Sequence, residues 1–304
     1  MRYVIIANPR AGSGRGDVAR RIVEAELRQA GVRYDLFVTE GPGDAERLAR
    51  EWAGNGARLV AVGGDGTLHE VGNGLMQHIL ERGGAGGALA GQEPPTLGWI
   101  PAGTGNDLAR TLRIPKSPRQ ALALILAGTA RVVDVGQVNG RCFFNVSGVG
   151  FDARVAEAVG RLAARRGRMA YALAALRLLP RLQNPPLTLR AGDVQLCDRI
   201  LLVAVGNCRY YGGGIQICPR AREDDGLFDI CVAGDLGRLE VLRALGASFR
   251  GAHLGLPKVA YHTAAEVEIE GPDDVLVHAD GQIVGRLPAR YRMLPRALGI
   301  HCAP

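Results

Sequence analysis

The chain is poor in aromatic residues and has no long apolar run. Each of these shortages excludes a class of function. Aromatic side chains make up 5% of its 304 residues. Proteins that bind single-stranded nucleic acid stack bases on aromatic rings, so we expect no nucleic-acid partner. The apolar stretches are shorter than a membrane-spanning helix requires, and the N-terminus enters a strand pattern without the features of a secretory signal. We therefore expect a cytoplasmic protein, peripheral at the inner membrane surface.

Cysteine patterns that bind metals are also missing, whereas positive charge is in excess. None of the six cysteines stands in a Cys-x-x-Cys pair or at ligand spacing from a histidine. Such thiols are typical of a reducing compartment. The formal net charge is +7 and the pI is about 9.4. A basic protein is attracted to anionic surfaces, which here favours acidic lipids or phosphorylated substrates as partners.

Strand and helix patterns alternate through the first part of the chain. This alternation predicts an α/β domain with a parallel sheet over residues 1–130, with ligand loops at the strand ends. From residue 131 strand patterns predominate and predict a mainly antiparallel β domain over 131–304. We expect a cleft between the two domains, and we allow for the last strand to return to the first. Local patterns also predict a helix capped by Asp17, a helical segment over 152–182 and a strand over 215–218.

A glycine-rich turn after the apolar segment 59–62 is the most informative stretch. It consists of Gly63, Gly64, Asp65, Gly66 and Thr67, and a helix pattern follows it. A junction of this kind presents backbone N–H groups and the positive end of a helix to an anion. Asp65 would repel a phosphate unless a metal ion lies between them, so we predict a nucleotide–Mg²⁺ site. A simple capped turn is the alternative, and an aspartate in this glycine setting is an unusual way to build one.

Two other loops follow strand patterns and share this character. Residues 8–16 form a loop of small residues and arginines, which alone is typical of an ordinary turn. Residues 103–107 read Gly-Thr-Gly-Asn-Asp and open a helix, and a capped helix explains them equally well. Because parallel strands end at one edge of a sheet, we expect all three loops to lie together.

The motifs at 63–67 and 103–107 together resemble the diacylglycerol kinase catalytic-domain family, which includes bacterial YegS-like lipid kinases and sphingosine kinases. That family carries Gly-Gly-Asp-Gly-Thr before a helix that contains an asparagine, here Asn73, and then Gly-Thr-x-Asn-Asp. NAD kinases share the first motif but lack the second. The similarity continues at Asn8-Pro9, at 145–152, at 219–229 and at Asp280-Gly281, so it spans most of the chain.

The resemblance implies an ATP- and Mg²⁺-dependent lipid kinase that phosphorylates a hydroxyl of a membrane lipid. Diacylglycerol is the default substrate and phosphatidic acid the product. The implied ATP-binding residues are Asn8, Thr39, Gly63, Gly64, Asp65, Gly66, Thr67, Leu68, His69, Glu70, Gly103, Thr104 and Asn106. An NAD-kinase-type enzyme acting on a soluble nucleotide is one alternative.

Two Mg²⁺ sites follow from the same resemblance. Asp65 and Asp107 would hold the catalytic ion, mainly through water, because Mg²⁺ gives up its water ligands reluctantly. A second, structural ion would bind the Asp225 carboxylate together with the backbone carbonyls of Arg222 and Leu227. Without the family context, a solvated acidic turn would explain this second stretch.

The resemblance implies Asp280, Gln282 and Asp65 as the catalytic residues, and Gln282 is the one departure from the family pattern. The family has Asp-Gly-Glu where this chain has Asp-Gly-Gln at 280–282. A glutamine can orient a hydroxyl but cannot accept its proton at neutral pH, whereas Asp280 can still serve as the base. A non-catalytic or impaired nucleotide-binding paralogue is therefore a second alternative.

The remaining expectations concern partners. Residues 161–181 form a basic helix pattern, with arginines around Met169, Leu173 and Leu176, which we expect to meet an anionic membrane surface. A solvated helix face is the simpler explanation of such a run. An exposed edge strand in the second domain could pair two copies as a homodimer. For His278 we expect a place in the core.

Overall fold

The structure is a computed structural model that describes residues 2–83, 93–161 and 168–303. The chain forms two compact units, one of Met1–Val133 with Arg296–Pro304 and one of Asp134–Pro295. The sequence-based boundary after residue 130 lies close to the first crossing, and the second crossing returns the end of the last strand to the first unit. Each unit is described separately below.

The first unit is built on a parallel sheet. Its strands are β1 (Tyr3–Ala7), β2 (Tyr34–Val38), β3 (Arg58–Gly63), β4 (Thr96–Pro101) and the end of β16 (Ala289–His301). They lie in the order β2-β1-β3-β4-β16, and all neighbours are parallel. The strand β1 is buried along its whole length, as expected when helices cover both faces of a parallel sheet.

Helices connect these strands. They are α1 (Arg15–Gln29), α2 (Asp44–Trp52), α3 (Asp65–Gly83), α4 (Asp107–Thr111) and α5 (Pro118–Ala127). The prediction that Asp17 caps α1 is wrong, because the chain enters the helix through Gly14, whose φ is 93°. Asp17 lies in the first turn instead and forms ion pairs with Arg20 and Arg21.

The second unit contains two antiparallel sheets. Its strands are the end of β5 (Ala130–Val138), β6 (Arg141–Phe143), β7 (Val146–Gly150), β8 (Pro186–Ala191), β9 (Val194–Arg199), β10 (Leu202–Gly206), β11 (Phe228–Ala233), β12 (Val259–Ala264), β13 (Glu266–Glu270), β14 (Leu276–Ala279), β15 (Gln282–Arg286) and the start of β16. One sheet has the order β12-β11-β10-β7-β14-β15, and the other joins β16, β13, β8 and β9. A core packs between them, with Phe143 stacked on Phe228 at 5.6 Å between ring centroids.

Helices cover the other face of the six-stranded sheet. They are α6 (Phe151–Gly160), α7 (Arg168–Leu178) and α8 (Arg238–Ser248), with short 3-10 helices at Leu179–Arg181 and Ala252–Gly255. A second apolar cluster joins them to the sheet. Within residues 2–83, 93–161 and 168–303, no helix is long and apolar enough to cross a bilayer.

Two element predictions for this unit need correction. The helical segment predicted over 152–182 is divided between α6, α7 and a 3-10 turn, and residues 162–167 of it lie outside the described chain. The strand predicted over 215–218 is wrong: its pairing is limited to an isolated bridge between Tyr211 and Ile215. Its apolar side chains are buried because they line a cavity, not because they form part of a sheet.

Candidate active site

The strands of the first unit end side by side at one edge of the sheet. Ala7 is the register partner of both Val38 and Val62, and Val62 pairs in turn with Ile100. The loops that follow these strands carry predicted ligand residues, among them Asn8, Thr39, Gly64 and Gly103. The backbone N–H of Thr39 donates to the carbonyl of Ala7 at 2.9 Å. The parallel sheet therefore gathers the loops that were predicted to bind the nucleotide.

Two glycines bring the loops after β3 and β4 into contact. A Cβ atom on Gly103 would lie 2.4 Å from the Cα of Gly64, and one on Gly64 would lie 3.0 Å from the Cα of Gly103. The amide of Ala102 and the indole N–H of Trp99 both donate to the carbonyl of Gly63, at 2.8 and 3.1 Å. These glycines are thus required by the approach of one backbone to another.

Asp65 links the same two loops through its carboxylate. Its Oδ2 accepts the amide of Asn106 at 2.6 Å, and its Oδ1 accepts the amide of Asp107 at 2.7 Å. These amides stand at the start of α4, where backbone N–H groups lack partners within the helix and favour a negative charge. Asn106 has a φ of 51° and closes its loop with two side-chain hydrogen bonds to Gly103. Asp65 therefore shapes the loop in addition to any role towards a metal ion.

Arg15 is a site residue that the sequence analysis did not single out. Its Nε donates to the carbonyl of Gly12 at 3.0 Å, and its Nη2 donates to the carbonyl of Gly103 at 2.7 Å. The same Nη2 lies 3.4 Å from the hydroxyl of Thr104. A guanidinium at this place favours a phosphate group, which it can bind with two parallel hydrogen bonds. Its only sequence signal was an arginine in a loop of small residues.

The loop after β1 is as tightly built as the other two. A Cβ atom on Gly12 would lie 2.1 Å from the carbonyl oxygen of Ala102, and one on Gly16 would lie 2.0 Å from that of Asn8. The side chain of Asn8 accepts the amide of Arg10 at 3.0 Å, which shapes the turn. Asn8 therefore builds the loop that was predicted to line the ATP site.

Three of the predicted ATP-binding residues are buried. Thr67, Leu68 and His69 are at most 5% exposed, and the amides of Thr67 and Leu68 both donate to the carbonyl of Gly64. His69 contacts Asn73 within α3. These residues belong to the first turns of α3, and their contact with ATP stays a prediction. Gly66 is exposed and Glu70 is half-buried, so both are closer to solvent.

Asp65 and Asp107 fit the class of ligand expected for the catalytic Mg²⁺. Among the described residues there is no group of three or more metal-binding side chains. Mg²⁺ in kinases, however, is usually bound by one or two carboxylates together with substrate phosphates and water. The hydrogen bond from the Asp107 amide to Asp65 holds the two residues next to each other at the sheet edge. The donor set is therefore suitable for an ion that a nucleotide brings with it.

The predicted acceptor-side residues belong to the second unit. We call residues 280–282, which join β14 and β15, the Asp280 turn. Asp280 and Gly281 both have positive φ, of 48° and 80°. The Asp280 carboxylate accepts the backbone amides of residues 144, 145 and 146, at distances from 2.8 to 3.3 Å. Gln282 is half-buried and pairs with Ala279 across the hairpin. Asp280 is thus fixed in place by the chain that it faces.

The predicted structural metal turn lies at 222–227 in the same unit. The carboxylate of Asp225 accepts the amide of Leu227 at 3.1 Å, and Arg222 pairs with Asp224 at 3.5 Å. Asp134, which was not predicted, accepts the amide of Gly226 at 2.7 Å. The carboxylates of Asp225 and Asp134 thus both hold this turn through backbone amides. Its role as a metal site stays a prediction.

A small cavity, partly open to solvent, lies within the second unit. Its walls are almost entirely apolar. They come from α6, α7, α8 and the six-stranded sheet, and include Val155, Ala175, Leu201, Ile217, Cys231 and Leu245. Burial raises the pKa of the Cys231 thiol to about 12, so this side chain stays uncharged at neutral pH. Such a cavity suits a hydrocarbon chain.

A buried polar group adjoins this cavity and was also missed. Asp152 accepts hydrogen bonds from Tyr171 and, at 2.8 Å, from Tyr211. His278, expected in the core, is indeed fully buried, but its Nε2 lies 2.9 Å from Asp152. Burial, together with the neighbouring Asp152 charge, raises the pKa of Tyr211 well above its usual value. A pairing between residues so far apart in the chain leaves no local sequence signal.

Comparison with known proteins identifies the family. Residues 2–138 match the family model of the diacylglycerol kinase catalytic domain, and residues 145–302 match that of the YegS C-terminal NAD kinase beta sandwich-like domain. A diacylglycerol kinase of Mycobacterium tuberculosis is 35% identical over 302 residues, which cover 97% of this chain and 93% of that protein. The lipid kinase YegS of Escherichia coli K12 is 32% identical over 282 residues, covering 91% and 89%.

A solved structure agrees with these matches. A crystal structure from Bacillus anthracis str. Sterne, described as a candidate diacylglycerol kinase, superposes with a TM-score of 0.82 at 27% identity. The superposition covers 100% of this chain and 95% of that one. The predicted fold class, an α/β domain followed by an antiparallel β domain, is confirmed. The chain belongs to the diacylglycerol kinase family, whose members include YegS-type lipid kinases, and it is an enzyme of the kinase class.

Proposed function

We propose that this kinase transfers the γ-phosphoryl group of ATP to the free hydroxyl of diacylglycerol in a Mg²⁺-dependent reaction that yields phosphatidic acid and ADP. Family membership supports the reaction class, and the name of the mycobacterial relative supports the substrate. The observation that carries the choice of a lipid acceptor is the apolar cavity of the second unit. A mostly apolar wall offers few hydrogen-bond partners to the sugar and phosphate groups of an acceptor such as NAD.

On the nucleotide side, this proposal gives the first-unit loops a positioning role. Phosphoryl transfer passes through a loose transition state, so catalysis depends on placement and on neutralising charge. The Gly64–Gly103 contact and the hydrogen bonds of Asp65 hold two of the loops rigidly. Arg15 and the exposed Thr104 would bind phosphate oxygens. Mg²⁺, held by Asp65 and Asp107, would neutralise phosphate charge during the transfer.

On the lipid side, the hydroxyl must lose its proton as its oxygen bonds to phosphorus. We assign the proton to the carboxylate of Asp280 and the orientation of the hydroxyl to the side-chain amide of Gln282. The three backbone amides on Asp280 would keep its carboxylate in place throughout the reaction. A loose transition state asks little of the base, so one carboxylate is sufficient.

The lipid has to reach the cavity from a bilayer, and two helices that form its walls carry exposed apolar residues. Helix α7 supplies Tyr171 and Ala175 to the cavity and exposes Met169 to 84%. Helix α8 supplies Val241 and exposes Leu239 to 73%. We include in the proposal that these exposed faces touch an anionic membrane.

Arginines lie beside these apolar residues. Arg177, Arg238 and Arg243 are exposed on the same two helices, where they can pair with acidic headgroups. The predicted basic segment 161–181 overlaps α7 in part, and its residues Arg165 and Arg166 lie outside the described chain. The proposal of a membrane partner is therefore based on the described residues of α7 and α8.

A transfer assay tests the function directly. Purified protein is incubated with labelled ATP and Mg²⁺, and with either dioleoylglycerol micelles or NAD as acceptor. We expect label in phosphatidic acid, none in NADP, and no product when Mg²⁺ is removed by a chelator. Product from NAD instead of diacylglycerol, or no lipid product at any Mg²⁺ concentration, would refute the proposal.

Gln282, which cannot accept a proton, supports a second candidate function. This candidate is a nucleotide-binding protein with impaired phosphoryl transfer. It predicts ATP binding in calorimetry at an affinity typical of kinases, together with lipid phosphorylation that appears only after Gln282→Glu. Clear turnover by the unmodified chain excludes it.

A further inference from the structure

A hydrogen-bonded chain of side chains runs from the cavity wall to the Asp280 turn. Tyr211 and Asp152 both line the cavity, and the hydroxyl of Tyr211 donates to Oδ1 of Asp152 at 2.8 Å. The second carboxylate oxygen of Asp152 lies 2.9 Å from Nε2 of His278. On the other side of the ring, Nδ1 accepts the backbone amide of Gly281 at 3.2 Å. Gly281 is the middle residue of the Asp280 turn.

These contacts fix which way each hydrogen bond points. Because Nδ1 of His278 accepts the Gly281 proton, the ring hydrogen is on Nε2 and is donated to Asp152. Both oxygens of Asp152 therefore act as acceptors, one for tyrosine hydroxyls and one for the imidazole. The ring of Tyr211 also stacks on His278, with centroids 6.4 Å apart and planes at 4°. Tyr211 is therefore connected to His278 in two ways, through Asp152 and through its ring.

The neighbouring strand is shaped to admit this chain. A Cβ atom on Gly148, in the middle of β7, would lie 2.0 Å from Oδ2 of Asp152 and 2.5 Å from Nε2 of His278. Only glycine at this position leaves space for the two side chains to meet. The side chains of Asp152 and His278 are each 1% exposed, so no bulk water competes for their hydrogen bonds.

We infer that His278 is a positioning residue, and that the chain Tyr211–Asp152–His278–Gly281 couples the filling of the apolar cavity to the geometry of the Asp280 turn. A hydrocarbon chain in the cavity presses on the wall that Tyr211 forms, which holds Asp152 and His278 in the arrangement described above. His278 then holds the Gly281 amide, and with it Asp280 and Gln282 on either side. The lipid tail thereby helps to order the residues that act on the lipid hydroxyl. This inference rests on the proposed lipid-kinase function.

The first test measures the turn without catalysis. Hydrogen–deuterium exchange of the peptide covering 278–283 is followed in the full-length protein with and without dioctanoylglycerol, in the absence of ATP. We expect the lipid to slow exchange about fivefold in the unmodified protein and to have no effect in Tyr211→Phe, which keeps the ring but lacks the hydroxyl. Equal exchange with and without lipid, or equal slowing in both proteins, would overturn the inference.

The second test uses turnover and a matched control. Diacylglycerols of increasing acyl length are compared at saturating ATP for the unmodified protein, Tyr211→Phe, His278→Gln and Tyr291→Phe. Tyr291 is a buried tyrosine of the same unit whose hydroxyl forms its hydrogen bond with Ser147. We expect kcat to rise with acyl length in the unmodified protein and in Tyr291→Phe. In the other two variants kcat should be about tenfold lower and independent of acyl length, with the KM for ATP changed by less than about twofold.

The outcomes separate this inference from the function on which it rests. If the unmodified protein phosphorylates no diacylglycerol, the proposed function fails, while the exchange experiment still decides whether the chain couples cavity and turn. If the unmodified protein is active and the Tyr211 and His278 variants keep its kcat at every acyl length, the inference is wrong. Thermal unfolding of each variant shows whether that variant still folds. If His278→Gln does not fold, the exchange experiment with Tyr211→Phe decides whether the inference holds.

Discussion

The carboxylate of Asp65 holds the start of α4, and under the proposed function it would also bind Mg²⁺. Its two oxygens accept the amides of Asn106 and Asp107. A neutral asparagine can accept only one of these amides, and its NH₂ group would face the other. Replacing Asp65 therefore disturbs the loop as well as the charge.

We expect Asp65→Asn to lower kcat roughly 100-fold or more and also to lower the melting temperature by a few degrees. Asp193→Asn removes the same charge from an exposed turn between β8 and β9 and is the matched control. Steady-state kinetics and thermal unfolding of both variants measure the two effects. A variant with lost activity and unchanged stability would mean that the hydrogen bonds to α4 contribute little.

Gln282→Glu restores the acidic residue that the family pattern has at this position. We expect kcat for diacylglycerol to rise about threefold or more, since a second carboxylate can share the proton of the acceptor hydroxyl. Gln195→Glu, on exposed β9, is the control for added charge. Unchanged kcat in Gln282→Glu would show that orientation by the amide is sufficient.

Among individual residues, the sequence analysis selected those that lie in short motifs. It missed those whose partners are far away in the sequence. Asp65 and Asp107 were selected as candidates because glycines around an acid form a recognisable local pattern. The contact of Asp152 with His278 joins positions 126 apart, and no spacing rule connects such residues. Arg15 was missed because its partners, Gly103 and Thr104, belong to another loop.

The secondary-structure elements show where pattern analysis works and where it fails. The buried strand β3 was found close to its true ends because its apolar run at 59–62 is continuous. The strands β9 and β15 were missed because they are largely exposed at sheet edges, where polar residues are tolerated on both faces. The false strand at 215–218 was apolar because it lines a cavity, a cause that the sequence does not distinguish from sheet burial.

The loop between β1 and α1 offers a test of loop packing. We expect Gly16→Ala to raise the KM for ATP about tenfold, because the new methyl group would meet the backbone carbonyl of Asn8 at 2.0 Å and displace the loop. Gly41→Ala is the control, since its Cβ would have nothing within 4 Å. Kinetics at varied ATP measure the difference. Equal KM values in the two variants would show that this loop does not line the nucleotide site.

For the whole molecule, two buried histidines predict how stability depends on pH. Burial lowers the pKa of His253 in the second unit and of His301 in the first. One ring nitrogen of each donates to a backbone carbonyl, while the other is buried without a hydrogen-bond partner among the described residues. A proton added there would place a charge in an apolar setting. The unfolded chain, whose histidines have a pKa of about 6.5, takes up these protons more readily.

The free energy of unfolding should therefore be highest above about pH 7 and should fall as the pH drops through about 6.5 towards the lowered folded-state values. Urea unfolding between pH 7.5 and 5.5 measures this slope. The double variant His253→Gln, His301→Gln should show a clearly shallower slope. The same slope in both proteins would assign the pH dependence to other groups.

The proposed membrane binding would depend on the whole molecule, whose net charge of +7 favours anionic surfaces. We expect Leu239→Glu to reduce binding to vesicles containing phosphatidylglycerol about fivefold. Val18→Glu, which replaces another exposed apolar residue on α1, should change binding little. Co-sedimentation with vesicles of graded phosphatidylglycerol content measures both variants. Equal loss in the two variants would mean that total charge, and not the face of α8, controls binding. The predicted homodimer stays a prediction that light scattering can test.

The contact between Gly64 and Gly103 also has a consequence for how this family can diverge. Each glycine forbids a side chain on the other, so a mutation at one position cannot be rescued by a change at its partner, which is already the smallest residue. We therefore expect relatives to keep both glycines or to lose both. In a newly sequenced relative, loss of either glycine would mark a protein whose nucleotide loops have separated, even if every acidic residue were kept.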